Sequence, residues 1–307
     1  MKKLSFLVSL VTDKNDYQRE QATAAEEAAQ RLGVEIKIIY ADGDAITQSQ
    51  QLLNVIQSSG ERPDGVVCQP AGTGLAQVAS AAAAAGIGWA VLNRDVDYLS
   101  QLRRNYRVPV FAVGVDQEEV GRIQGRQFAA LAPEGGIALY ILGPAVNPTV
   151  GQRLAGVQAT KPASLQIRTL RGRWTEESGY EAVTAWLRLS TSHQTPVGLI
   201  GSQNDYMALG ARKAFEENTT GAEKEKWASL PYAGCDAVRG TGQEWVRKGL
   251  LSASIIVPPT TGVALEIFVR ALQAGNQPAE RTLSAPLSFP AVEKLSAGRS
   301  QRSAGQF

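Results

Sequence analysis

The chain has 307 residues, 44% hydrophobic and 20% charged, with a formal net charge of +2. That length can bury one large core or two smaller ones, and the near-neutral charge leaves no electrostatic footprint for nucleic acid. Two cysteines make no disulfide framework, one histidine (His193) cannot build a zinc site, and no apolar run reaches the length of a membrane span.

The elements follow one another with a regular beat. Met1-Lys2-Lys3 and the apolar stretch from Leu4 have the charge pattern of the front of a signal peptide. The apolar part is short and no small-residue cleavage site follows, so residues 4–10 are read as a first strand. Residues 18–32 form a helix with Ala22, Ala25, Ala29 and Leu32 on one face and Gly33 as a stop. Strand 34–39, helix 47–58, strand 65–68, helix 75–85 and strand 89–92 come next. The pattern then restarts: strand 110–115, helix 118–131, strand 136–142, helix 152–159, strand 165–170, helix 177–189, strand 197–200 and helix 207–217. Strand 230–235, helix 241–248, strand 251–257 and helix 262–274 complete it, and the polar tail 296–307 is expected to be poorly ordered. Alternating strands and helices imply parallel sheets covered on both faces, an α/β protein.

The two halves can be laid over each other. Gly65–Cys68 followed by Gln69 corresponds to Val197–Ile200 followed by Gly201–Asp205. Trp89–Leu92 followed by Asn93-Arg94-Asp95 corresponds to Leu230–Cys235 followed by Asp236. Two similar α/β domains are expected in place of one long sheet.

In open parallel sheets ligands meet the carboxyl ends of strands. There the sequence places Asn15 and Tyr17 with Gln18; Gln69; Asn93 and Arg94; Arg153; Trp174; Asn204; and Asp236. Each has a plain alternative. Asn15 and Asn204 are good helix caps, Trp174 suits a core, and Arg153 suits a solvated helix face. As a set they match a polyol: Asp accepts hydrogen bonds, Arg donates, Asn and Gln do both, and aromatic rings cover the apolar C–H faces of a sugar. No phosphate loop, dinucleotide fingerprint or nucleophile elbow is present, and no enzyme activity is expected.

The motifs Gln203–Ala211, Leu92-Asn93-Arg94, Gly151–Gly156, Trp174–Tyr180 and Gly234-Cys235-Asp236 resemble those of type I periplasmic substrate-binding proteins of the ribose-binding kind. Their fold is shared with the effector domains of lactose-repressor-type regulators. The resemblance covers about residues 4–295. It implies two Rossmann-like domains, each a parallel sheet flanked by helices, joined by a three-segment hinge. The first would be residues 1–115 with 258–281, the second 116–257 with 282–307.

By the same resemblance Asn204, Arg153 and Asp236 bond sugar hydroxyls or ring oxygens. Arg94 stands for the arginine of an Asp-Arg pair, Tyr17 with Gln18 for the stacking aromatics of the first loop, and Trp174 covers the opposite sugar face. The chain departs from that pattern in three places. Asn93 replaces the aspartate of the pair, the hinge stretch Ile256-Val257-Pro258-Pro259 carries no amide, and the first loop has one aromatic. These departures count against ribose itself.

The implied function is the sugar-binding component of an ABC importer, closing on a small saccharide or polyol between its domains. The alternative is the sensing domain of a regulator or chemoreceptor with the same fold. A membrane permease is the implied partner, with no cofactor, metal or nucleic acid, and the protein is expected to be a monomer. The implied location is extracytoplasmic, with the signal peptide absent from this sequence, or cytoplasmic if Met1 is the native start.

Overall fold

The computed structural model describes residues 3–192 and 195–295. His193, read above as a loop residue, and the tail from Ser296 lie outside the described residues. Among the described residues no helix is long and apolar enough to cross a membrane. Cys68 and Cys235 are both buried free thiols.

The chain divides into two compact units, Met1–Val115 with Pro258–Ser284, and Asp116–Val257 with Ala285–Phe307. The first unit alternates β1 (Ser5–Leu10), α1 (Asp16–Leu32), β2 (Glu35–Tyr40), α2 (Ala45–Ile56), β3 (Gly65–Cys68), α3 (Ala76–Ala84), β4 (Gly88–Leu92), α4 (Leu99–Asn105) and β5 (Val110–Val115). The second contains α5 (Gln117–Leu131), β6 (Gly136–Leu142), α6 (Pro148–Thr160), β7 (Leu165–Arg171), α7 (Glu176–Leu187) and β8 (Val197–Ser202). It continues with α8 (Asp205–Asn218), α9 (Gly221–Ser229), β9 (Tyr232–Ala233), α10 (Gly242–Arg247) and β10 (Ser254–Ile256). The chain then returns to the first unit for α11 (Thr261–Ala274) and β11 (Arg281–Ser284), and ends its described part in the second with β12 (Leu287–Phe289).

The first unit is built on one parallel sheet of order β11-β5-β4-β3-β1-β2. Its four inner strands, β5, β4, β3 and β1, are buried on both faces, as a sheet covered by helices requires, and the edge strands β2 and β11 are partly exposed. Along β1 the side chains alternate: Phe6, Val8 and Leu10 pack with α1 and α11, and Leu7 packs with α2 and α3. Helix α1 starts at the Asn15 cap and stops at Gly33, whose φ of 68° is the left-handed turn that glycine adopts without strain.

The second unit has a parallel sheet of order β7-β6-β8-β9, extended by single bridges from Ala233 to Ala253 and from Asp236 to Ile256. β12 then pairs antiparallel with β10. The strand order repeats that of the first unit, with β6 in the place of β1 and β8 in the place of β3.

The third crossing between units differs from the expected position. It falls after Ser284, because β11 pairs with β5 over Arg281–Ser284 and so belongs wholly to the first sheet. Residues 282–284 are therefore first-unit residues, and the second unit resumes at Ala285. Elements α4, α9, β11 and β12 have no counterpart in the sequence reading. The second of these, GAEKEKWAS, has one apolar anchor, the buried Trp227, and shows no apolar stripe.

Two helix pairs in the second unit touch backbone to backbone. A Cβ on Gly121 would collide with the Arg153 carbonyl, and one on Gly156 with the Glu118 carbonyl, so α5 and α6 cross on glycine. Gly179 and Gly210 make the same reciprocal contact between α7 and α8, against Met207 and Glu176. Gly210→Ala is expected to destabilise the protein by about 1–3 kcal/mol through overpacking. Gly151→Ala, on α6 where the added methyl meets nothing, should stabilise by about 0.5–1 kcal/mol. Thermal unfolding of the two variants beside the parent checks both signs.

Candidate ligand-binding residues

In the first unit the carboxyl edge of the sheet is built from β1, β3 and β4. Asn15 caps α1: its side-chain oxygen accepts from the N–H groups of Tyr17 (2.9 Å) and Gln18 (3.3 Å). Gln18 is buried, and its carbonyl accepts from Val11 N–H at 2.9 Å, which fixes the loop after β1. Tyr17 is half-buried, and its hydroxyl accepts from the side chains of Gln21 (2.9 Å) and Asn93 (3.1 Å). Asn93 follows β4 with φ at 54°, in the left-handed region that asparagine tolerates better than most residues. Strand alternation would send its side chain away from α1. The left-handed turn brings it to Tyr17 on that helix.

Two oxygens on this edge stand out. The Gln69 Oε1 and Asn93 Oδ1 atoms are buried, and among the described residues no donor reaches either. A buried carbonyl without a donor costs about 1–3 kcal/mol, so such atoms are rare in the absence of a role. Gln48 holds the loop after β3 in place, donating to Ser9 Oγ and to the Gln69 carbonyl and accepting from Ala71 N–H. Arg94 is half-buried and donates to the Gly72 carbonyl of the same loop at 3.2 Å.

In the second unit the glycine crossings place the candidates. Arg153 on α6 is 6% exposed; its Nε donates to Gln117 on α5 at 2.8 Å and its Nη1 to the Gln203 carbonyl at 2.5 Å. The Gln203 side chain bridges the loop after β6, accepting from Gly143 N–H and donating to the Val150 carbonyl. Asn204 is the cap of α8: its Oδ1 accepts from Met207 N–H at 2.9 Å, and its Nδ2 donates to the Trp174 carbonyl at 2.9 Å. Trp174 has φ at 68°, strained for so bulky a residue, and its indole lies against Gly143.

Asp205 is buried, accepting from Ser254 Oγ (2.5 Å) and Ala237 N–H (2.8 Å), and so braces the turn after β9. That turn carries Asp236, whose φ of 103° is a conformation that L-residues seldom adopt. Asp236 is half-buried and makes no side-chain hydrogen bond to another described residue. Burial pushes its carboxyl up to about 6, with the Arg153 charge pulling the other way. Asp205 is raised well above the usual carboxylate value by burial and then by the charge of Asp236.

The candidates thus fall into two classes. Asn15, Gln18, Arg153 and Asn204 have hydrogen bonds that shape the two edges. Gln69, Asn93 and Asp236 present acceptors that the protein leaves unfilled. The structure joins Tyr17 to Asn93 and Trp174 to Asn204, and sets Arg153 within electrostatic reach of Asp236. Gln21, Gln48 and Gln117, which hold the edges together, were not singled out in the sequence. A buried helix glutamine carries no local signature.

The family model described as periplasmic binding protein domain matches residues 6–276. The chain belongs to this family. No curated protein matches it in sequence. Several periplasmic binding proteins of known structure share its fold. One, from Actinobacillus succinogenes 130z with bound D-allose, is 19% identical with a TM-score of 0.81, covering 96% of this chain and 100% of its own. The periplasmic binding protein component of the arabinose ABC transporter from Shewanella sp. ANA-3, bound to L-arabinofuranose, is 20% identical with a TM-score of 0.77, covering 98% and 97%. The fructose-binding periplasmic domain of a hybrid two-component system is 17% identical with a TM-score of 0.75, covering 99% and 96%.

Asp236 sets a pH dependence for this periplasmic binding protein without ligand. Its folded pKa lies above the value of a free carboxyl. The favourable contribution is therefore full below that value and is lost as pH rises through about 6. Asp236→Asn should stabilise the ligand-free protein at pH 8 by about 1–2 kcal/mol, less than the full shift implies because the group is partly solvated. At pH 4 the difference should nearly vanish. Urea unfolding at both pH values measures it.

Proposed function

We propose that the chain is the extracytoplasmic solute-binding component of an ABC importer and that it takes an uncharged sugar or polyol. The observation that carries this reading is the pair of buried, unfilled amide oxygens, Gln69 Oε1 and Asn93 Oδ1, with the half-buried Asp236 carboxylate as a third acceptor residue at the carboxyl end of a strand. Acceptors that lack donors call for a ligand rich in hydroxyl groups. A cation would not be drawn by two neutral amides, and a carboxylate ligand would be repelled by Asp236. Tyr17, whose hydroxyl meets the Asn93 amide, supplies an apolar ring beside one of these acceptors. The family membership and the sugar-bound structures of similar fold support the same reading.

The protein acts as a monomer that hands its ligand unchanged to a membrane permease. A sensing role is the second reading, favoured by the likeness to the fructose-binding domain of a two-component system. Gene order separates the two: a permease and an ATPase beside the coding sequence accord with transport, and a kinase or receptor with sensing.

A thermal-shift screen against pentoses, hexoses, polyols and charged sugar derivatives tests the ligand class. One neutral polyol should raise the melting temperature, by about 4 kcal/mol of stabilisation at a thousandfold excess over Kd. Gln69→Leu and Asp236→Asn should each weaken binding by about tenfold or more, as loss of one hydrogen bond to the ligand predicts. Affinity should also fall as pH drops through about 6, because a protonated Asp236 loses acceptor capacity. Shifts only with charged ligands, or full affinity in both variants, would overturn the reading.

A further inference from the structure

Helix α11 begins without a cap of its own. Thr260, its N-cap residue, makes no side-chain cap hydrogen bond, and the two residues before it are prolines. The first N–H groups of a helix need acceptors when they are buried. Here the acceptor comes from another helix. Gln21 on α1, with no exposed surface, receives the N–H groups of Thr260 (2.9 Å) and Thr261 (3.0 Å) on its Oε1. Its backbone carbonyl accepts the Thr261 hydroxyl at 2.5 Å. With the carbonyl end of the amide committed to α11, the Nε2 end donates to the Tyr17 hydroxyl at 2.9 Å and to the Thr260 hydroxyl at the longer distance of 3.4 Å. Tyr17 in turn meets the Asn93 amide at 3.1 Å. An unbroken hydrogen-bonded line therefore runs from the end of β4 to the point where the chain re-enters the first unit after Val257.

The second unit repeats this construction in the same register. Asn15 stands five residues after the end of β1, and Asn147 five after the end of β6, each as the cap of the following helix. Six residues past each cap comes a buried polar side chain, Gln21 in one unit and Arg153 in the other. Each bonds to the start of a helix that directly follows a crossing between units: Gln21 to Thr260 and Thr261 of α11, Arg153 to Gln117 of α5. Two unlike residues in one structural position each reach the helix after a crossing, Gln21 by accepting from its backbone and Arg153 by donating to its Gln117 side chain, and this points to a shared task.

We propose that Gln21 is a positioning residue that ties Tyr17 and Asn93 to the start of α11, so that order at the ligand-facing edge is felt at the crossing segment. The proposal rests on the reading of Tyr17 and Asn93 as ligand-facing. Coupling between the two ends is reciprocal, so it can be read without ligand.

The test is residue-resolved hydrogen exchange on the ligand-free full chain. Tyr17→Phe keeps the ring and removes the nearer of the two hydroxyls that hold the Gln21 amide nitrogen. The Thr260 and Thr261 amides should then exchange about tenfold faster, while amides in the middle of α11, such as that of Phe268, stay as they were. Gln21→Ala should produce a larger change at the same two amides. Unchanged exchange at Thr260 and Thr261 in Tyr17→Phe overturns the proposal, even if Gln21→Ala has an effect, since Gln21 would then be a local cap alone. Should Gln21→Ala fail to fold, Tyr17→Phe decides by itself. Because no ligand enters the experiment, its failure is distinct from a failed ligand screen.

Discussion

The carboxyl edge of the second unit's sheet depends on helices that meet without side chains between them. Packed helices ordinarily sit 8–10 Å apart, the spacing set by the side chains at the contact. At Gly121 and Gly156, and again at Gly179 and Gly210, there is no Cβ, and carbonyl oxygens occupy the space. The first contact lets Arg153 reach Gln117 across the helix pair; the second brings the Trp174 carbonyl to the Asn204 amide. An added methyl group at any of these glycines would move side chains that lie a turn or more away.

The same economy lets a cap residue hold a second element in place. Asn204 sits where a strand stops and a helix starts, and its oxygen does cap that helix. Its amide nitrogen also fixes the backbone of Trp174, which sits in a strained conformation that nothing local favours. Asn93, Trp174 and Asp236 all have positive φ, and all follow the carboxyl end of a strand. Strain in these positions costs of order 1–3 kcal/mol each and persists only where the surroundings enforce it. Tyr17 beside Asn93, Asn204 beside Trp174, and Asp205 under the turn of Asp236 are those surroundings.

Much of the fold was legible because its signals are local. Strand-length apolar runs, helix stripes and a stop such as Gly33 are written within a few residues. The internal repeat was visible in the order of elements, and the strand order of the two sheets accounts for it. What escaped depends on contacts distant in sequence. β11 and β12 are three or four residues long and exist because β5 and β10 offer them an edge. α9 is held by a single tryptophan stacked on Phe215 at 4.2 Å. Asn93, Gln69 and Asp236 could be named as candidates from the residue types at strand ends. That their acceptors are unfilled, whereas those of Asn15 and Gln18 are engaged, follows from loop geometry that no spacing encodes.

The strand β11 has a further consequence for how the protein is made. It supplies the last edge of a sheet whose other five strands lie within the first 115 residues, and α11 covers the face that Phe6, Val8 and Leu10 present. The first unit therefore stays incomplete on the ribosome until residue 284 has emerged, even though most of its sequence is synthesised first. The second unit in turn needs β12. Both halves are completed almost together, by strands that lie within ten residues of each other, and contacts so distant in sequence form slowly. The two folding units therefore mature as a pair.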